Sequence, residues 1–284
     1  MRTIFHDARL QQQITRQGYI THPLLDSEGL AALSALISKY MAQYGGDFHT
    51  SHFSTDQTYK REVHETITAV VFPQVAALLD HYIPIFGNLM IKPADSGYAM
   101  PLHADWTYVD ESRYRSLAVW MPLVDTTIDN GRLGVIAGSH RITGQVRGPR
   151  IIQSSFRRDD DWARQAGTLL PIRAGEAVIY DHALLHFSPP NRSGLLRPAI
   201  NLSLVPADAE VMHYCIPEGA DSIERYDVSG PEFYLRYDNF QRPETGTPVE
   251  KIPISSIELI DERMEAFIKK PSFLKSILER FHIS

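Results

Sequence analysis

The chain has 284 residues, 43% hydrophobic and 22% charged, enough for one large globular domain with a sizeable core. A formal net charge of -6 supplies no basic field for nucleic acid or an anionic membrane surface. No apolar run approaches the ~18–20 residues of a membrane span. One cysteine, Cys215, excludes a disulfide within the chain. With a polar N-terminus (MRTIFHDARLQQQ), this leaves a cytoplasmic protein as the expectation.

In chain order, residues 7–17 read as a short helix and GYITHPLL (18–25) as a strand or extended turn. Asp26 is placed to cap a helix running to about Tyr44, with Glu28 in its first turn and Gly45-Gly46 ending it. A second long helix is expected from about Lys60 to Tyr82, with an interruption at Pro73. From residue 85 the pattern changes. IFGNLMIKP, SLAVWMPLV, RLGVIAG, TLLPIRAG, EAVIYD, ALLHFS and RPAINLSLVP are short, β-branched and aromatic, and turn signals separate them. That spacing predicts a β-sandwich or barrel, not βαβ units. Ser139 to Gly167 reads as a long loop, 207–247 as an ordered excursion over the barrel, and 256–282 as a terminal helix. The expected organisation is one domain, 1–284: helices over 1–84, a barrel core over 85–206 and an extension over 207–284.

The strongest local signal is Leu102-His103-Ala104-Asp105. In an extended segment the two-residue spacing sets His103 and Asp105 on one face, an imidazole and a carboxylate able to share a metal. Two histidines and one carboxylate form the facial triad of non-haem Fe(II) oxygenases, so a second histidine is needed from a late strand. His182 and His186 are the candidates. Arg197 favours His186: it opens the next strand across the Pro190, Asn191 and Gly194 turn, and on adjacent antiparallel strands both side chains would point into the same interior. A buried guanidinium needs an anion, and neither strand offers one. A dicarboxylate co-substrate would, with the Ser188 hydroxyl on the same face as His186. Lys92, Tyr98, Tyr108, Arg113 and Arg115 are expected around the barrel mouth, and 222–240 could form a lid over it.

Four segments carry a family resemblance: LHADW (102–106), VWMPLVDTTIDNGRLGVIAGSH (119–140), GEAVIYDHALLHFSPPN (175–191) and RPAINLSL (197–204). In order and spacing they resemble the phytanoyl-CoA dioxygenase family of Fe(II)/2-oxoglutarate oxygenases. The resemblance implies a double-stranded β-helix (jelly-roll, cupin-like) fold, mainly β with flanking helices. It implies Fe(II) on His103, Asp105 and His186, and 2-oxoglutarate on Arg197 and Ser188 with Trp120 alongside. O2 is the oxidant and a small molecule, amino acid or natural-product intermediate, the substrate. Asn130-Gly131 and Gly138-Ser139-His140 match turn motifs of the family and are read as structural. Asp105 favours hydroxylation over halogenation, since related halogenases lack this carboxylate. Two rival readings remain open at this point: a cupin-like metalloenzyme without redox chemistry, and a barrel that binds without catalysing.

Overall fold

The computed structural model describes residues 2–41, 48–95, 97–144, 146–151, 166–228, 230–237, 242–243, 247–257, 263–264 and 267. Three helices come first. In α1 (Ala8–Gln17), the Asp7 carboxylate accepts from the Arg9 and Leu10 amides. In α2 (Ser27–Tyr40), Asp26 accepts from Glu28 and Gly29, the cap read from the sequence. In α3 (Gln57–Ala76), Pro73 sits in the last turn, and the helix runs through it without the expected interruption.

The strands follow largely as the sequence predicts. A six-stranded antiparallel sheet has the order β1 (Tyr19–Pro23), β8 (Glu176–Asp181), β5 (Leu117–Pro122), β10 (Arg197–Pro206), β3 (Tyr82–Lys92), β2 (His49–Thr50). A four-stranded sheet has the order β4 (Met100–His103), β9 (His186–Ser188), β6 (Gly134–Val135), β7 (Thr168–Leu169). Their inner faces share one apolar cluster, in which Trp120, Val178 and Tyr180 of the large sheet meet Val135 of the small one. This is the double-stranded β-helix. Its two sheets stay separate hydrogen-bonded ladders, so the expected barrel is a sandwich that does not close.

Side-chain alternation explains why the large sheet is apolar on both faces. Leu89, Ile91, Leu117, Val119, Met121, Ile179, Ile200 and Leu202 point outward into one core with Val63, Ile67 and Val71 of α3. Each such residue, removed from water, contributes ~1.5–3 kcal/mol. Gly87 on this face lets α3 approach: a Cβ there would lie 3.2 Å from backbone atoms of His64. The opposite parity, Met90, Trp120, Arg197 and Asn201 among them, faces the interior cavity.

The 207–253 segment forms a third antiparallel sheet, β11 (Val211–Cys215), β12 (Ser222–Val228) and β13 (Glu250–Pro253), with α4 (Gly230–Arg236) after β12. α4 packs inward: Tyr234 lies against Phe86 and Tyr108 at ring separations of 6.4 and 5.5 Å. Val228, Phe233, Tyr234 and Leu235 are therefore fixed in a hydrophobic cluster with Ile85 and Val205, and no described residue of 222–240 lines the interior cavity where a lid is expected. Most of the expected terminal helix, 256–282, lies outside the described residues. No described helix is long and apolar enough to cross a membrane.

His213 on β11 is fully buried among Trp106, Phe233, Tyr234 and Tyr237, and neither ring nitrogen has a hydrogen-bond partner. Burial, with a smaller push from His52, lowers its pKa to about 3. The unfolded chain binds a proton here below about pH 6.5 and the folded chain does not, so stability is lost as pH falls from about 6.5 toward 3. His213→Phe should remove this sensitivity, adding about 2 kcal/mol at pH 5 and little at pH 8. Urea denaturation at the two pH values checks it, and equal gains at both would defeat the assignment.

Candidate metal centre and its cavity

His103 and His186 are direct cross-strand partners on β4 and β9, so their imidazoles lie side by side with ring centroids 4.2 Å apart. Asp105 follows two residues beyond His103, on the same side of the chain. Its Oδ1 lies 3.8 Å from His103 Nε2 and 3.7 Å from His186 Nε2. One donor atom from each of the three residues lies within 4.8 Å of the others. Among the described residues this is the one histidine, cysteine and carboxylate cluster with such spacing.

The surroundings fix which atoms face the centre. His103 Nδ1 is 2.8 Å from the Pro101 carbonyl and His186 Nδ1 is 3.0 Å from the Leu184 carbonyl. A carbonyl oxygen can only accept, so each Nδ1 carries the proton and each Nε2 turns its lone pair toward Asp105. Burial, with the His186 ring adding to it, lowers the His103 pKa to about 4 against the opposing pull of Asp105. The ring is neutral at physiological pH, the form that binds metal. Burial alone would raise the Asp105 pKa. His186, His182 and His103, with a hydrogen bond from Tyr180, outweigh it and hold the carboxyl below its ordinary range. Tyr180 donates to Asp105 Oδ2 at 3.0 Å, leaving Oδ1 for the centre.

A buried ion pair pins the loop that carries Asp105. Arg147 is 1% exposed. Its guanidinium meets the Glu111 carboxylate through two hydrogen bonds, of 2.9 and 2.5 Å, and its Nε donates to the Asp105 carbonyl at 2.7 Å. In return, the Thr107 amide donates to the Arg147 carbonyl. Sequence reading missed this clamp, because 139–167 carries no strand or helix periodicity. Tyr180 was missed as well, although its parity with Val178 on β8 was a usable signal.

His103, Asp105, His186, Ser188, Arg197 and Trp120 all line one interior cavity. Arg197 is 4% exposed, and its guanidinium lies over the Trp120 ring, 5.5 Å from the centroid. Among the described residues, Nε has no hydrogen-bond partner and the guanidinium no ion-pair partner. Burial lowers its pKa to about 10, still cationic at neutral pH. The one carboxylate lining this cavity, Asp105, belongs to the metal cluster, so the desolvated cation is costly unless an anion enters.

The mouth residues divide. Tyr98 and Tyr108 line a second, adjoining cavity of about 320 Å³ that also reaches His103 and Asp105. Lys92 is instead fully buried behind the site, donating to the Ser188 carbonyl at 3.0 Å and also to the Pro189 carbonyl. Burial, with Arg197 nearby, lowers its pKa to about 7. Arg113 lies on the surface beside the Tyr114 ring, and Arg115 pairs with Asp181 at 3.5 Å, so neither stands at the mouth. His182, the competing ligand candidate, bonds to the Ser116 hydroxyl at 2.9 Å through Nδ1 and packs on Tyr108. Asn130 bridges its turn by accepting from Thr127 and donating to the Asp125 carbonyl, and Gly131 and Gly138 take φ of +77° and +84°, as structural turns require. His140 is buried by α1, outside the cluster.

Fold and cluster together define a double-stranded β-helix protein with a two-histidine, one-carboxylate centre opening into a cavity. The chain belongs to the phytanoyl-CoA dioxygenase (PhyH) family, whose model matches residues 17–199. A phytanoyl-CoA dioxygenase domain-containing protein 1 homolog of Dictyostelium discoideum is 24% identical over 163 residues, 55% of this chain and 56% of that protein. The match thus spans little more than half of the curated relative. Among solved structures, the epimerase SnoN in complex with Fe3+, alpha ketoglutarate and nogalamycin RO is similar at a TM-score of 0.55, with 17% identity over 86% of this chain and 93% of that one. HygX from Streptomyces hygroscopicus, with nickel and 2-oxoglutarate bound, gives 0.53, with 11% identity over 76% and 92%. The carbocyclase SnoK from nogalamycin biosynthesis gives 0.51, with 18% identity over 72% and 86%. At these identities the likeness is one of fold.

The Arg147–Glu111 pair gives a test of the clamp. Glu111→Leu leaves a guanidinium buried without its carboxylate and should cost about 3–5 kcal/mol of stability. Chemical denaturation measures this, and a loss below about 1 kcal/mol would show that the pair does not hold the loop.

Proposed function

We propose that this chain is an Fe(II)- and 2-oxoglutarate-dependent oxygenase that hydroxylates a C–H bond of a small molecule. The observation that carries the reading is the meeting of two incomplete arrangements in one cavity. Three donor atoms of a metal-binding type converge on one point, and the buried Arg197 guanidinium beside them has no ion-pair partner among the described residues. A divalent metal completes the first and a dicarboxylate the second. Two imidazoles and one carboxylate leave half of an octahedral shell open for co-substrate and oxygen, the ligand set of non-haem Fe(II) oxygenases.

Each side chain then has a stated task. His103 and His186 bind through Nε2, oriented by the Pro101 and Leu184 carbonyls. Asp105 binds through Oδ1 while Tyr180 holds Oδ2. Arg197 takes the distal carboxylate of 2-oxoglutarate as a planar fork, and the Ser188 hydroxyl donates to it. Trp120 supports the guanidinium from behind and forms an apolar wall. Lys92, bonded to the Ser188 and Pro189 carbonyls, fixes the chain between Ser188 and Arg197. When bound, iron and 2-oxoglutarate supply the oxidising power, with O2 consumed as the co-substrate is decarboxylated to succinate. The substrate is a small molecule in the adjoining cavity, which reaches the metal cluster at His103 and Asp105. The retained Asp105 favours hydroxylation as the outcome.

Asp105→Ala should abolish iron-dependent succinate formation. Arg197→Ala should raise the KM for 2-oxoglutarate at least ~100-fold, since a charge-assisted pair is lost. Near-normal turnover in both variants would sink the assignment. Tyr180→Phe removes only the donor to Oδ2 and should weaken Ni(II) affinity about tenfold, within the range for groups that orient metal ligands. Calorimetric titration reads this directly, and an unchanged affinity would remove Tyr180 from the site's support.

A further inference from the structure

The adjoining cavity defines a substrate class, and this step rests on the oxygenase reading above. Its walls are aromatic and sulfur-bearing, with Phe48, Phe53, Phe86, Tyr98, Trp106 and Tyr108 beside Met90 and Met100. Phe48 and Tyr98 stack nearly parallel, 4.9 Å apart at 14°, so each ring braces the other at the cavity wall. Among the described lining residues there is no lysine or arginine, and the single carboxylate is Asp105. A phosphate or carboxylate group lodged here would be desolvated without a counter-ion.

The polar groups in these walls are almost all spoken for. Asn88 Oδ1 accepts from the hydroxyls of Thr50 and Ser51 and from the His52 amide. The hydroxyls of Tyr108 and Ser203 bond to one another. Asn201 is different. It lies on the inward row of β10, four residues from Arg197, and lines both cavities. Its Oδ1 is buried with no hydrogen-bond partner. A half-turn of the amide exchanges Oδ1 and Nδ2, so the group can present an acceptor or a donor to whatever enters. A hydroxyl satisfies either orientation.

We infer that the substrate is a ring-bearing small molecule with no anionic group in this cavity, packed among the Phe48, Tyr98 and Trp106 rings and oriented by a hydroxyl on the Asn201 amide. Linear acyl-CoA thioesters and compounds that must lodge a carboxylate or phosphate here fall outside that class. Asn201 then decides which carbon faces the metal, because the hydrogen bond fixes the rotation that apolar walls leave free.

The probe is 2-naphthol, titrated into nickel-loaded protein with 2-oxoglutarate and followed by ligand-observed NMR. The comparison compounds are 2-naphthoate and octanoyl-CoA. 2-Naphthol should bind most tightly, and Asn201→Leu should weaken it about five- to tenfold. Tyr98→Ala, a change at a half-buried wall residue, should weaken it as well and serves if the Asn201 variant does not fold. Tighter binding of any charged comparator, or no loss in either folded variant, overturns the inference. Affinity for 2-oxoglutarate on the same nickel-loaded protein is measured separately. If that affinity is absent while 2-naphthol still binds, the oxygenase reading fails and the cavity's preference stands.

Discussion

Pairing of β4 with β9 sets His103 opposite His186, and the rest of the site depends on that register. A cross-strand pair holds two side chains about one imidazole's width apart without help from any loop, and two backbone carbonyls then choose the tautomer of each ring. A slip of one residue would turn both rings to the other face. The register is protected locally. β9 is flanked by β4 and β6, and Gly134 of β6 leaves room for the Phe187 ring, which a Cβ would approach to 2.4 Å. Asp105 lies past the end of β4, where no ladder can hold it. The buried Arg147–Glu111 pair and the Tyr180 hydroxyl do so instead.

The electrostatics of the interior form a gradient along β10. Arg197 stands at one end as a desolvated cation, Asn201 follows as a neutral amide, and Ser203 closes the row in a hydroxyl pair with Tyr108. Lys92, paired with Arg197 across β3 and β10, would double the positive charge. Burial and that neighbour lower its pKa to about 7, and its ammonium hydrogens are directed at the carbonyls of Ser188 and Pro189. The guanidinium is therefore the group that faces the cavity, where a planar fork recognises a carboxylate. Anionic recognition and apolar recognition are separated along one strand, which gives two different molecules distinct places on a shared metal.

Much of this was legible along the chain. Asp26 announced a helix start, alternation announced the strands, and the two-residue spacing of His103 and Asp105 announced a shared face. Arg197 reads as interior on the expectation that its strand pairs with that of His186; the two strands lie in opposite sheets instead, and both side chains still line one cavity. These inferences are local: each needs only the geometry of a single element or of two elements joined by a short connection. Reasoning of the same kind failed for Lys92, Arg113 and Arg115, whose charge suggested a mouth. Lys92 finds backbone acceptors in the interior, Arg115 finds Asp181, and Arg113 lies out on the surface.

What only the tertiary structure decided is the set of partners brought together from distant positions. Arg147 and Glu111 close around the Asp105 backbone, Tyr180 crosses 75 positions to reach its carboxylate, and Val228, Phe233, Tyr234 and Leu235 pack into a core cluster instead of over the opening. By itself the sequence determined the alternation of inward and outward side chains and the residue types able to bind a metal and an anion. Period-two geometry is a property of the backbone and needs no neighbours. Which polar groups end up satisfied and which remain open to a ligand depends on contacts between elements. That is why Asn201, unremarkable in RPAINLSL, becomes visible only in the folded chain, as a buried amide oxygen without a partner between two cavities.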